Sequence, residues 1–123
     1  MNILITQLGL DLDRIIMDPT TGALGYGLEY TYSVMERLRI AALKQGDTII
    51  QRSFIMDIGT EVWKIKENKL SYEEAPTLGD PEKRGIAWEA ITTMAFLLTG
   101  ADVVILRHPR AAELVNEMID ELM

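Results

Sequence analysis

The chain has 123 residues, of which 48% are apolar and 25% charged, with a net charge of −7 and no cysteine. That composition fits one ordinary globular domain rather than a disordered chain. The acidic balance argues against nucleic acid and anionic membrane surfaces as partners, and the lack of Cys removes disulfides, thiolate nucleophiles and cysteine-held zinc or iron–sulfur centres.

Met1–Leu10 shows no basic segment or small-residue cleavage site of a secretory leader. The absence of cysteine fits a cytosolic home. Asn2–Leu10 reads as part of a helix that starts without a cap. Arg14–Met17 (RIIM) is a short apolar run stopped by Asp18-Pro19, hence a first strand. Leu28–Leu43 has helical spacing, with Leu28, Thr31, Tyr32, Met35, Leu38 and Ala42 on one stripe, and Gly46-Asp47 closes it. Ser53–Ile58 (SFIMDI) is a second strand, and Thr60 is placed to cap a helix reaching about Asn68.

Asn68–Pro81, with Pro76, Gly79 and Pro81, reads as a loose connection inside one domain. Asp80-Pro81 then opens a helix as N-cap and first residue, and Gly100 stops it. Trp88, Ile91, Ala95 and Leu98 share one face of that helix, while Ile86, Met94, Phe96 and Leu97 broaden its apolar surface, so it is expected to be covered on more than one side. Its apolar-rich part, Ile86–Leu98, is broken by Glu89, Thr92 and Thr93 and is shorter than the roughly 20 residues a membrane span needs. Val103–Leu106 (VVIL) is a third strand. Ala111–Leu122 is the last helix, with Ala111, Leu114, Val115, Met118, Ile119 and Leu122 facing inward.

Strands alternating with helices run parallel, because each crossover returns the chain in the same direction. The expected fold is therefore α/β, a single domain over residues 1–123. Three parallel strands leave two open edges, and other helices or another chain must cover what remains bare.

In parallel α/β folds chemistry gathers at the carboxyl ends of the strands. Those positions hold Asp18, Asp57, Arg107 and His108. Asp18 before Pro19 fits an Asx-turn as well as a ligand contact. Asp57 fits a helix cap or a partner for Arg107 as well as a functional carboxylate. His108, the single histidine, fits a hydrogen-bonded loop residue as well as a ligand or base. No metal-ligand spacing occurs, so no metal is assigned. Thr20–Gly27 (TTGALGYG) crowds glycines before a helix. It fits either a tight turn or a weak anion cradle, with neither GxGxxG spacing nor a P-loop lysine.

Asp18–Leu38 (DPTTGALGYGLEYTYSVMERL) closely resembles a segment of the small (delta) subunit of the corrinoid/iron–sulfur protein that serves carbon monoxide dehydrogenase/acetyl-CoA synthase. The resemblance continues through Phe54–Glu67 (FIMDIGTEVWKIKE), Arg84–Asp102 (RGIAWEAITTMAFLLTGAD) and Val103–Val115 (VVILRHPRAAELV). It implies a TIM barrel and a place in methyl transfer from a methyl-pterin through a corrinoid to acetyl-CoA synthase. It also implies a large subunit that carries the corrinoid and the iron–sulfur cluster, with neither held by this chain alone.

A TIM barrel takes about 250 residues. The resemblance therefore implies the last three βα units of a (β/α)8 barrel with the tail of the preceding helix. A truncated gene product, a split gene and a short paralogue all fit. On this reading Asp18, Thr20, Thr21, Gly22, Asp57, Arg107 and His108 are the candidates for facing the corrinoid. The isolated chain docks rather than catalyses, and uncovered barrel faces favour self-association.

Two rival readings stand beside it. One is a phosphoryl-accepting receiver-like signalling domain with Asp57 as acceptor. It needs an acidic pair for Mg²⁺ such as Asp11 and Asp13, but no convincing strand precedes them. The other is a structural remnant with no ligand.

Overall fold

The computed structural model describes residues 2–123. In chain order these form α1 (Asn2–Gln7), α2 (Leu28–Lys44), β1 (Ile55–Asp57), α3 (Ile58–Lys64), α4 (Lys66–Lys69), α5 (Pro81–Leu98), β2 (Val103–Ile105) and α6 (Pro109–Leu122). Short 3₁₀ turns lie at Leu12–Arg14, Thr48–Ile50 and Pro76–Leu78. The fold is α/β, with a two-stranded sheet in which β1 and β2 run parallel, Met56 opposite Val104.

The first expected strand shrinks to one residue. Met17 makes a single parallel bridge to Phe54, its N–H donating to Ser53 O and its carbonyl accepting from Ile55 N, both at 2.9 Å. Arg14 belongs to a 3₁₀ turn instead, closed by its own N–H on Asp11 O at 3.1 Å. Among the described residues Phe54 is the one bridge partner of Met17, and no ladder extends along Ile15 and Ile16.

Side chains alternate across a sheet, and the two faces differ sharply. Phe54 and Met56 are fully buried, and they join Met35 of α2, Ile58 and Val62 of α3 and Phe96 of α5 in the main core. On the opposite face Val103 and Ile105 are 43% and 47% exposed, with Ile55 and Asp57 half-buried beside them. A second cluster holds Ala90 and Met94 of α5 against Ala111 and Val115 of α6.

The amino ends of the strands are clamped by one ion pair. Arg39 contacts Asp102 at 3.1 Å, donates to Arg52 O at 3.0 Å and lies 3.9 Å from the Phe54 ring centre. Asp102 in turn accepts the Phe54 N–H at 2.8 Å.

Three helix readings need correction. Asp57, not Thr60, caps α3: its carboxylate accepts the Thr60 N–H at 3.1 Å. The helix expected to run to Asn68 breaks at the extended Ile65, where the Asn68 side chain donates to Val62 O at 2.8 Å. On α5 the Trp88–Ile91–Ala95–Leu98 stripe is not the buried face, since Ile91 and Leu98 are 66% and 73% exposed. The buried face carries Gly85, Glu89, Thr92, Thr93 and Phe96. Small and polar residues sit there because another element comes very close: a Cβ on Gly85 would lie 2.5 Å from the Trp63 ring.

Other helix readings hold. Asp80 caps α5 through the Lys83 N–H at 2.9 Å, with Pro81 in the first turn. The expected inner face of α6 is found except at Leu122, which is exposed, and the helix begins earlier, at Pro109. Asn68–Pro81 is held more firmly than its composition suggests. The Arg84 guanidinium donates to Glu67 O, Leu70 O, Leu78 O and Gly79 O. No helix among the described residues is long and apolar enough to cross a membrane.

Candidate functional site

Because Met17, β1 and β2 are parallel, their carboxyl ends share one rim. Asp18 follows the bridge, Asp57 ends β1, and Leu106–His108 follow β2.

At the first position Asp18 forms the expected Asx-turn, accepting the Thr20 N–H at 2.8 Å. Thr20 has φ 65°, a left-handed conformation that a β-branched residue adopts at a cost. It is held there by the Asx-turn and by the Thr31 hydroxyl, which donates to Thr20 O at 2.9 Å. Thr21 is buried, and its hydroxyl donates to Asp57 O at 2.9 Å, joining the first rim loop to the second. Gly22 is exposed and reaches only back to Thr20, its N–H lying 3.4 Å from the hydroxyl oxygen.

The following turn folds on itself. The N–H groups of Leu24, Tyr26 and Gly27 go to Thr21 O and Ala23 O. The Glu29 carboxylate packs so near Gly27 that a Cβ there would meet it at 2.5 Å. A negative side chain therefore already occupies the start of α2, where the dipole favours it.

Asp57 has its carboxylate engaged with Thr60, and no ion pair joins it to Arg107 among the described residues. The second and third loops meet at Gly59. A Cβ on Gly59 would lie 2.5 Å from Arg107 N, so only glycine permits this approach.

The third loop is organised by Glu89, which sequence reasoning noted only as an interruption of an apolar run. Its side chain is fully buried. One oxygen accepts the Trp63 Nε1–H at 2.8 Å and faces His108 N at 3.3 Å, and the other accepts the Arg107 N–H. A lone Glu in the apolar stretch Ile86–Leu98 was the signal available. A buried carboxylate must find donors, and a loop beside it offers them.

His108 is half-buried. Its Nδ1 accepts the Arg110 N–H at 3.1 Å and so caps α6, while Nε2 lies 3.5 Å from Glu82. Its ring stacks on Trp63, centroids 6.0 Å apart at 21°. The exposed Arg107 guanidinium lies 5.5 Å from the Trp63 ring centre. A cleft of about 430 Å³ opens beside it, lined by Gly59, Thr60, Lys64, Ile105, Leu106 and Arg107. A larger cleft of about 790 Å³ lies along the Met17 segment, with Ile15, Ile16, Leu38, Ile49 and Ile50 among its walls and Asp18 and Thr20 beside them.

The rim thus brings together Thr21 with Asp57, and Arg107 with His108 through Trp63 and Glu89. No group of three His, Asp or Glu positioned to hold a metal occurs among the described residues. The acidic set a receiver domain needs around Asp57 is accordingly not assembled there.

The family model described as CO dehydrogenase/acetyl-CoA synthase delta subunit matches residues 1–120. Similar proteins include acetyl-CoA decarbonylase/synthase complex subunit delta of Methanopyrus kandleri, 41% identical over 98% of this chain and 29% of its own length. That of Archaeoglobus fulgidus is 39% identical over 97% of this chain and 26% of its own length. That of Methanosarcina mazei is 37% identical over 97% of this chain and 28% of its own length. The chain therefore spans under a third of the length of the curated relatives it matches. With 120 of its residues matched in order, rim loops and core helices included, the chain belongs to the CO dehydrogenase/acetyl-CoA synthase delta subunit family.

Proposed function

We propose that the chain acts as a docking element of an acetyl-CoA decarbonylase/synthase complex, its rim covering a corrinoid held by a large corrinoid/iron–sulfur subunit. In that setting the corrinoid carries a methyl group from a methyl-pterin to acetyl-CoA synthase, and this chain makes no bond itself. The observation that carries the reading is the spent state of the rim's polar groups. Asp18, Thr21 and Asp57 all use their side chains to fix backbone, leaving a rigid surface rather than a free acid, base or nucleophile. His108, the single histidine, has Nδ1 occupied and Nε2 beside Glu82. These residues therefore suit covering a corrinoid that another subunit holds, not ligating its metal.

The same proposal takes Met17, β1 and β2 as neighbouring staves of a TIM barrel. Their parallel order and the exposed Val103 and Ile105 face support it, since that face is the inner one in a closed barrel. The larger cleft beside Met17 would then take a further strand. Asp18, Thr20, Thr21, Gly22, Asp57, Arg107 and His108 are the proposed contact residues.

The test is co-elution of the chain with a purified large corrinoid subunit, with and without bound corrinoid. Association that weakens in Arg107→Ala and His108→Ala supports the reading. No association in either state overturns it. Light scattering of the chain alone tests the accompanying expectation of self-association.

A further inference from the structure

The first turn of α6 hangs on one residue. Pro109 carries no N–H, so Arg110 supplies the first donor of the helix. Its N–H goes to His108 Nδ1 at 3.1 Å, and those of Ala111 and Ala112 go to His108 O at 3.0 and 3.3 Å. The caps of α3 and α5 are carboxylates, Asp57 and Asp80. A carboxylic acid that gains a proton keeps an acceptor oxygen, whereas an imidazolium keeps no acceptor at all.

Nδ1 accepts only while it is bare, which puts the single proton of the neutral ring on Nε2. That nitrogen lies 3.5 Å from Glu82 Oε1 at the start of α5. A second proton, taken from solvent, goes onto Nδ1 and points it at the Arg110 N–H. Turning the ring over presents a carbon there instead, so neither orientation of the charged ring caps α6.

The surroundings hold a charged ring where it is. Glu82 faces Nε2, the buried Glu89 carboxylate lies 3.3 Å from His108 N, and the Trp63 ring stacked on the imidazole favours a cation on its face. Opposing them are Arg107, whose guanidinium lies 5.5 Å from the same indole, the exposed Lys83 next to Glu82, and the positive end of α6. The Arg110 guanidinium is engaged by Glu113 and Glu117, and Lys64 of α3 by Glu61. With the ring anchored on α3 and α5, the start of α6 is the part that yields.

We propose that His108 is a proton-operated cap: the neutral ring holds the first turn of α6 closed, and the protonated ring releases that turn while remaining beside Glu82. The device belongs to this chain alone and is independent of what the rim docks against.

The test is NMR of the full chain over a pH series at fixed ionic strength, following the imidazole nitrogens and the Arg110 amide. Expected on the alkaline side is a proton on Nε2 with Nδ1 bare. As the imidazole protonates, the Arg110 amide shift should follow with the same midpoint. Its exchange protection, corrected for the intrinsic pH dependence of exchange, should fall roughly fivefold or more. The Thr60 amide, held by the Asp57 carboxylate, should keep its protection over the same range. His108→Asn places a non-titrating oxygen in the cap and should make the Arg110 protection flat. A neutral ring protonated on Nδ1, an Arg110 amide indifferent to the imidazole, or an unchanged pH response in His108→Asn each overturns the proposal.

Discussion

The indole N–H of Trp63 donates to the buried carboxylate of Glu89 at 2.8 Å, and that contact couples α3 to α5 beneath the rim. The carboxylate also takes the Arg107 N–H, so a single buried side chain sets where the third loop lies.

Removing that carboxylate should therefore be severe. Glu89→Ala strands the Trp63 and Arg107 donors and opens a cavity, and is expected to cost about 3–5 kcal/mol. Glu89→Gln retains one acceptor oxygen and should cost less. Urea unfolding gives the order. Tryptophan emission in the folded Gln variant should also shift, as the Trp63 N–H loses a charged acceptor. Equal stability of Glu89→Ala and the native chain would show that the carboxylate does not hold the loop.

Gly59 is the second sensitive point. Gly59→Ala places a methyl group 2.5 Å from Arg107 N, against backbone that cannot rotate away. The expected loss is roughly 1–3 kcal/mol. Hydrogen exchange should show faster opening at Arg107 and His108 than at the α2 amides. Uniform destabilisation without that local signature would contradict the contact.

Arg84 is the clasp of the segment between α4 and α5. Arg84→Lys keeps the charge but cannot reach carbonyls at Glu67, Leu70, Leu78 and Gly79 together. Limited proteolysis should then cut within residues 68–80 well before the native chain is cut. Identical digestion rates would mean the segment holds itself.

Glu74 gives a pH dependence with a definite sign. The backbone N–H of Ser71, and then its hydroxyl, hold the Glu74 carboxyl below its ordinary 4.5. A lowered folded value means the ionised form is favoured by folding. The contribution is complete above pH 4.5 and fades as the pH falls through the lowered value. A carbon-detected titration should place the Glu74 midpoint below 4.5. Glu74→Gln should remove this part of the acid sensitivity.

Local chemistry was legible in the residues themselves. Asp80-Pro81 announced α5, the spacing of Ala111, Val115 and Met118 announced the inner side of α6, and Asp18-Pro19 offered an Asx-turn as one of two readings. What stayed hidden depended on neighbours. The buried side of α5 is chosen by the nearness of Trp63 to Gly85 and by the donors that meet Glu89, and neither leaves a hydrophobic period. Arg14–Met17 has strand composition, but a ladder needs partners, and among the described residues Met17 alone of the four has one. Asp57 and Thr60 are both good caps, and the chain's actual turn chose the earlier. Of the rim, the residue types were readable and their tethering was not, because the hydrogen bonds from the Thr21 hydroxyl to Asp57 O and from the Arg107 N–H to Glu89 cross 36 and 18 positions of sequence.

The outer side of β2 has practical weight for anyone handling the chain. Val103 and Ile105 lie on a strand with no partner beyond it among the described residues, which leaves backbone hydrogen-bonding groups and greasy side chains ready to zip onto another molecule. Concentrated stocks should turn cloudy and, with time, fibrous. A lysine introduced as Val103→Lys would blunt that edge and lengthen shelf life without touching the buried Met56 side of the sheet.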